Sequence, residues 1–221
     1  NVVVVGGGPT GIEMAGALVE WFELVFRKDY PQLPINRARV LLVEALDTVL
    51  PTYSVQLQRY ARKQLRQRGV ELHLGNPVAR ITSEAVYLQS GERIPTRTVI
   101  WAAGVRACPL ADRLGLPQTR GGRIVVDPDL RVPGRANVFV IGDLAASQDE
   151  AGRLHPQMAP VAIQGARHVA RQLQRLLAGQ ETEPFCYRHR GAMATIGRHA
   201  AVAELPSGVR LTGPLAWLAW L

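Results

Sequence analysis

The chain has 221 residues, 47% of them hydrophobic, enough to bury a substantial core in one large domain or two small ones. Its net charge of +8 is almost wholly arginine, with only Lys28 and Lys63 as lysines; aromatics are just 6% and no nucleic-acid-binding motif appears, which argues against a nucleic-acid binder. Cys108 and Cys186 form neither a CxxC nor a metal-ligand pair, which argues against a structural zinc and fits a reducing compartment, and no apolar run reaches the ~18 residues that span a bilayer.

The chain opens on Val2 to Val5, four β-branched residues with no polar interruption. Such a run reads as a strand buried on both faces, as in a parallel sheet. Gly6, Gly8 and Gly11 follow at GxGxxG spacing, with Ala15 and Gly16 one turn further on. Gly6 permits a tight turn, Gly8 removes the Cβ that would keep a pyrophosphate off the backbone, and Gly11 lets the new helix lie close to the strand. Free N–H groups and the positive end of the helix dipole then face the phosphates. The opening on Asn1 in mid-strand reads as a piece of something longer.

Arg39 to Val43 is the next predicted strand, ending in Glu44. An acid there accepts hydrogen bonds from the adenosine ribose and repels a 2′-phosphate, which favours NAD over NADP; a solvated strand-end acid is the structural alternative. The usual separation is about 20 residues, whereas Glu44 lies 33 beyond Gly11. Residues 21–38 are therefore an extension, with Pro31 and Pro34 ending its helix.

Ser54 is placed to cap an arginine-rich helix running to Arg68 and closed by Gly69. Strands are predicted at Val70 to Leu74, Val78 to Ile81, Ala85 to Leu88 and Thr98 to Trp101, the middle pair as an antiparallel excursion over the sheet. Ala102, Ala103 and Gly104 then end the last strand with residues too small to block a cofactor; a tight packing corner has the same demand. A short strand at Ile124 to Val126 and a buried strand at Val138 to Ile141 follow, the second running into Gly142 and Asp143. Asp143 is placed either to meet a polyhydroxyl chain such as the ribityl group of a flavin or to cap the turn.

A long helix is predicted from Ala159 to Ala178, with Val161, Gly165, Val169, Leu173, Leu176 and Leu177 as its buried stripe and Gln164 able to face a ring system. Phe185 to Tyr187, Met193 to Ile196 and Ala200 to Leu205 read as strands of a small β unit with a turn near Ser207 and Gly208. The segment Gly213 to Leu221 suits a helix apolar all round, either the start of an interfacial membrane helix or a core segment whose partner lies elsewhere.

Taken together, GGGPTGIEMAGAL at Gly6 to Leu18, TVIWAAGV at Thr98 to Val105, VFVIGDLAA at Val138 to Ala146, APVAIQGA at Ala159 to Ala166 and GAMATIGRHAAV at Gly191 to Val202 resemble the type II NADH dehydrogenases. These are NADH:quinone oxidoreductases of the two-dinucleotide-binding-domain flavoproteins. The resemblance implies an α/β fold: a Rossmann-like NAD(H)-binding domain over 1–116, the C-terminal part of a split FAD-binding domain over 117–179, and the start of a membrane-binding region over 180–221. It implies that Gly6, Gly8, Pro9, Thr10, Gly11, Glu44, Ala103 and Gly104 hold NADH. Gly142, Asp143 and Ala159 fall to FAD, and Glu13 and Gln164 to the reacting rings, with Glu13 linked to proton delivery; as a bare structural feature, Glu13 is a first-turn acid favouring the helix dipole. The family commonly has AQxAxQ where this chain has Pro160 in place of the first glutamine, which bears on the quinone side of the flavin; Gln157 lies before the helix start.

The resemblance further implies FAD and NAD as cofactors, a membrane quinone as acceptor, peripheral attachment on the cytoplasmic face of the cell membrane through the C-terminal region, and a possible homodimer. By the same resemblance the other half of the flavin site is expected to lie outside this stretch, which alone is expected to be inactive. A soluble reductase of a disulfide or iron–sulfur partner, and a nucleotide-binding module without turnover, are the alternatives.

Overall fold

In the computed structural model, residues 1–119 and 121–220 are described. Its elements, in chain order, are β1 (Val2–Val5), α1 (Pro9–Trp21), a π-helical turn (Phe22–Phe26), α2 (Arg27–Asp29), β2 (Val40–Glu44), α3 (Val55–Gln67), β3 (Val70–Leu74), β4 (Val78–Ile81), β5 (Ala85–Leu88), β6 (Arg93–Pro95) and β7 (Thr98–Trp101). These are followed by α4 (Leu110–Arg113), β8 (Arg131–Val132), β9 (Arg135–Phe139), a 3-10 turn (Gly142–Leu144), α5 (Ala159–Leu177), β10 (Ala192–Gly197), β11 (Ala200–Glu204), β12 (Arg210–Thr212) and α6 (Gly213–Trp220). The chain divides into two compact units, Asn1–Gly104 with Gly191–Leu221, and Val105–Arg190. This differs from the expected three-part division: the small C-terminal β unit joins the first unit instead of standing apart.

In the first unit a four-stranded parallel sheet runs in the order β3-β2-β1-β7, with Val2 opposite Val40 on one side and Thr98 on the other. The unbroken valine run follows from burial on both faces. Val4 and Leu42 pack with Ile12, Ala15, Leu57, Ala61 and Leu65 of α1 and α3. Val3, Val5, Leu41 and Val43 pack on the opposite face with Val86, Leu88 and Ile94 of the antiparallel β4-β5-β6 sheet. Ala194, Ile196, Ala200 and Val202 of β10 and β11 belong to the same core as Ile12, which is why the C-terminal strands cannot be a separate body. The close approach depends on Gly16, since a Cβ there would lie 2.2 Å from the Ile196 carbonyl oxygen.

Several expectations are corrected. Ser54 occupies the N-cap position of α3 but makes no capping hydrogen bond, and its hydroxyl is buried without a partner among the described residues. Ile124 to Val126 is no strand: Ile124 makes isolated bridges to Gln118 and Ala145, and Val125 instead donates its N–H to the Pro117 carbonyl at 2.8 Å. The strand expected at Val138 to Ile141 is β9, hairpinned on β8 through Pro133 and Gly134, and Val138 and Ile141 are exposed while Val140 is buried. Phe185 to Tyr187 is not a strand either. Its rings dock edgewise on histidines, Phe185 on His155 at 5.7 Å and Tyr187 on His155 at 5.4 Å.

The buried stripe of α5 also moves. It is Val161, Gly165, His168 and Gln172, while Leu173, Leu176 and Leu177 are exposed. The segment after the helix explains the shift: His168 donates from Nε2 to the Glu183 carbonyl at 3.0 Å, and Glu183 donates its N–H to Gln172 Oε1 at 2.8 Å. Polar side chains that satisfy a crossing backbone can occupy core positions that pattern reading reserves for leucine. Among the described residues no helix is long and apolar enough to cross a membrane.

Candidate functional site

The first unit builds a turn between β1 and α1 that is closed on one side and open on the other. Gly6 donates its N–H to Val43 at 2.8 Å and has φ of +115°, and a Cβ on it would sit 2.4 Å from the Ala102 carbonyl oxygen. A Cβ on Gly11 would come within 1.8 Å of the Gly6 oxygen, so helix and strand touch backbone to backbone there. Gly8, in contrast, is the extended N-cap of α1, and a Cβ on it would meet nothing within 4 Å. Pro9 takes the first helical position, which needs no N–H. The N–H groups of Gly8, Thr10 and Gly11 find no acceptor among the described residues. Three orphan donors, an open side and a helix N-terminus are what a pyrophosphate requires.

Glu44 reaches this turn. Its Oε2 accepts the Gly7 N–H at 2.5 Å and its Oε1 accepts the Leu46 N–H at 2.8 Å. The Gly7 carbonyl in turn accepts the N–H of Leu50 at 2.8 Å, a fully buried residue held at φ of 53°. Glu44 is therefore a structural member of the turn, with its remaining lone pairs available to a ligand hydroxyl. Ala103 and Gly104 lie exposed beyond β7, after Ala102 donates to the Val5 carbonyl at 2.7 Å.

Glu13 stands past the first turn of α1, so the simple dipole reading does not apply. It is half-buried, and its Oε1 accepts the Thr195 N–H from β10 at 3.1 Å. The C-terminal β unit thus fixes the carboxylate of the first helix. The buried Tyr53 hydroxyl is pushed up to about 12, by burial first and then by the charges of Glu13 and Glu204.

In the second unit Asp143 rides on the Gly142–Leu144 turn, exposed, with its carboxylate in no hydrogen bond or ion pair among the described residues. Gly142 has φ of +64°, and a Cβ there would crowd the Ala162 methyl of α5 at 3.1 Å. Gln157 donates from Nε2 to the Asp143 carbonyl at 2.9 Å, so the glutamine that precedes the helix braces this turn. Ala159 is the exposed first residue of α5. Gln164 is half-buried and its amide is committed: Nε2 donates to the Arg188 carbonyl at 2.9 Å, and Oε1 accepts the Arg188 N–H at 3.0 Å. It braces the segment after the helix. A cavity of about 680 Å³ in this unit is lined by Ser147, Asp149, Arg153, His155, Phe185 and Tyr187 among others. Burial pushes His155 below the ordinary histidine value, and its Nδ1 pairs with the Ser147 hydroxyl at 3.2 Å.

Sequence reading did not single out Leu50, Thr195 or Arg123. The first two act through their backbone and leave no side-chain signal, whereas Arg123 heads the apolar stretch Ile124 to Val126 and carries no motif of its own.

Residues 1–166 match the sequence profile of the pyridine nucleotide-disulphide oxidoreductases. The chain belongs to this family. Within it, the chain is 38% identical over 99% of its length to the type II NADH:quinone oxidoreductase Ndh of Mycobacterium tuberculosis, covering 48% of that protein. It is 34% identical to the mitochondrial internal alternative NAD(P)H-ubiquinone oxidoreductase A1 of Arabidopsis thaliana, covering 100% of the chain and 46% of that protein. The chain thus spans about half the length of the curated relatives it matches. Among solved structures of the same fold, NDH2 from Plasmodium falciparum in complex with NADH superimposes with a TM-score of 0.88 over 99% of this chain and 61% of that one, at 19% identity. A ferredoxin reductase from Rhodopseudomonas palustris gives 0.71 over 94% and 48%, at 22% identity. The expected α/β fold and the resemblance to type II NADH dehydrogenases are both borne out.

Proposed function

We propose that the protein carrying this chain is a flavoprotein that oxidises NADH and reduces a membrane quinone. The observation that carries this reading is the open glycine turn of the family, with three unpartnered N–H groups beside the Glu44 carboxylate. NADH binds there: Gly8, Thr10 and Gly11 donate to the pyrophosphate, Glu44 accepts from the adenosine ribose, and the bare ends of Ala103 and Gly104 leave room for the rest. In these terms the first unit, Asn1–Gly104 with Gly191–Leu221, carries the nucleotide, and the second, Val105–Arg190, is the C-terminal part of the flavin domain.

The second unit fits a flavin on one side. Asp143 offers an unengaged carboxylate to ribityl hydroxyls, Gly142 lets the turn lie close against α5, and the small, exposed Ala159 starts the helix beside it. A flavin held there would supply the chemistry of taking a hydride from NADH and handing two electrons to the acceptor. The protein supplies position and electrostatics. Glu13, oriented by the Thr195 N–H, is the acid of the first unit that serves proton delivery, and Gln164 holds the chain beyond α5 within the second unit.

Residues 180–221 contribute the membrane contact. On α6, Leu215, Leu218 and Trp220 are exposed while Ala216 is buried, so one face is free to enter the headgroup region from the cytoplasmic side. The alternative acceptor is an iron–sulfur protein or a disulfide; Pro160, where the family commonly has glutamine, favours considering it, while Cys108 and Cys186 are both free and so supply no redox pair.

The test is steady-state NADH oxidation by the intact, FAD-loaded protein with a short-chain quinone, lipoamide and an iron–sulfur acceptor under identical conditions. Rapid turnover with quinone alone supports the proposal. Faster turnover with either other acceptor overturns it.

A further inference from the structure

Arg123 is 6% exposed, in the interior of the second unit. The ion pairs of that unit engage Arg106, Arg131, Arg153 and Arg175, and Arg123 takes part in none among the described residues. Its guanidinium is spent on backbone instead: Nε and Nη2 donate to the Ala145 carbonyl at 2.8 and 2.6 Å, and Nη1 donates to the His155 carbonyl at 3.0 Å. These two carbonyls stand at either end of the excursion that follows the Gly142–Leu144 turn. Ile124 adds two more stitches to the same place, donating its N–H to Leu144 at 2.8 Å and accepting that of Ala146 at 2.8 Å. Two adjacent residues therefore grip every residue from Leu144 to Ala146, directly after Asp143.

A buried guanidinium without a carboxylate partner is a poor choice for stability alone, because apolar residues of similar volume commonly replace buried charges without loss. Burial lowers the Arg123 pKa, and the Asp143 charge raises it again, so the two groups lie within electrostatic reach of one another. The guanidinium fork offers what an apolar side chain does not, several fixed donors on one rigid plane.

We propose that Arg123 is a positioning residue for Asp143, clamping the turn behind it so that the exposed carboxylate is held ready for a polyhydroxyl ligand. This rests on the reading of Asp143 as a flavin-binding residue. Arg123 touches no ligand in this scheme and acts only through the turn.

The experiment uses the intact flavoprotein and the variants Arg123→Met, Arg123→Lys, Asp143→Asn and the double variant Arg123→Met with Asp143→Asn. FAD affinity is read by flavin fluorescence after apoprotein reconstitution, NADH affinity by calorimetry, and folding by thermal melting. Arg123→Met is expected to raise the FAD Kd about tenfold with NADH affinity unchanged, and Arg123→Lys to restore part of the loss. The double variant is expected to bind FAD no more weakly than Asp143→Asn alone, because one residue works through the other. An Arg123→Met FAD Kd within about twofold of the parent, or losses that multiply in the double variant, overturns the clamp. Unchanged FAD affinity in Asp143→Asn overturns the flavin reading itself, and the clamp with it. If Arg123→Met does not fold, Arg123→Lys decides: weakened FAD binding at a near-parental melting temperature supports the clamp, and parental FAD binding overturns it.

Discussion

The carboxylate of Glu44 and the backbone N–H of Gly7 are joined at 2.5 Å across the end of the parallel sheet. The residue that reads as a ribose acceptor is also a strut of the glycine turn. Loss of the side chain therefore acts twice, on the ligand and on the shape of its cradle.

For that reason Glu44→Gln and Glu44→Ala separate the two roles. Glu44→Gln keeps one acceptor and is expected to weaken NADH by about tenfold while leaving NADPH nearly unchanged, because a charged acceptor contributes ~1.5–3 kcal/mol per bond and repels a 2′-phosphate. Glu44→Ala adds a lower melting temperature as the Gly7 N–H loses its partner. Calorimetry with both nucleotides checks this, and an unaltered NADH-to-NADPH preference in Glu44→Gln would remove the ribose role.

Gly8 and Gly11 make a sharper pair. A Cβ at Gly8 meets open space, so Gly8→Ala is expected to fold with little change in stability and yet lose NADH affinity by tenfold or more, at about 1.4 kcal/mol per decade. A Cβ at Gly11 meets the Gly6 oxygen at 1.8 Å, so Gly11→Ala must displace helix or turn and is expected to cost about 2 kcal/mol or more. Thermal melts with and without NADH give both numbers. Equal stability losses in the two variants would contradict the open-cradle geometry.

Gly16→Ala tests whether the C-terminal strands belong to the first unit in solution. Its Cβ would press on the Ile196 carbonyl oxygen at 2.2 Å, and a loss of roughly 1–3 kcal/mol in denaturant unfolding is expected. A variant as stable as the parent would mean that α1 and β10 do not pack as described.

The Tyr53 hydroxyl carries a pH dependence in the alkaline range. Its pKa is raised from 10.0 to about 12, by burial foremost, so below pH 10 both folded and unfolded chains keep the proton and the full stability is present. Between pH 10 and about 12 the unfolded chain ionises first, and stability falls by at most about 3 kcal/mol. Tyr53→Phe is expected to flatten this part of the profile. An identical alkaline decline in Tyr53→Phe would show that another group is responsible.

The reach of the sequence varied with the distance over which each signal acts. Val2 to Val5, the glycine spacing, the acid at Glu44 and the antiparallel excursion are local patterns, and the chain forms each where it was expected. Failures came where a distant segment changed the environment. The leucines late in α5 fit a core stripe by spacing, but the segment around Glu183 crosses the other face and engages His168 Nε2 and Gln172 Oε1, with Gln172 Nε2 left without a partner among the described residues. Gln164, able by its place on the helix to face a ring system, has an amide that binds both backbone groups of Arg188, a partner 24 residues away that no local pattern announces.

By itself the sequence determined the parallel α/β unit, its glycine turn and the residue types available for a dinucleotide, because strand burial and glycine conformation are set within a few neighbouring residues. Only the tertiary structure decided that β10 and β11 complete the first core, that Thr195 orients Glu13, and that a buried arginine grips the turn carrying Asp143. Each of these contacts joins segments far apart in sequence, and the last two end on backbone groups. Backbone groups are identical at nearly every position, so a sequence carries no record of which ones will meet.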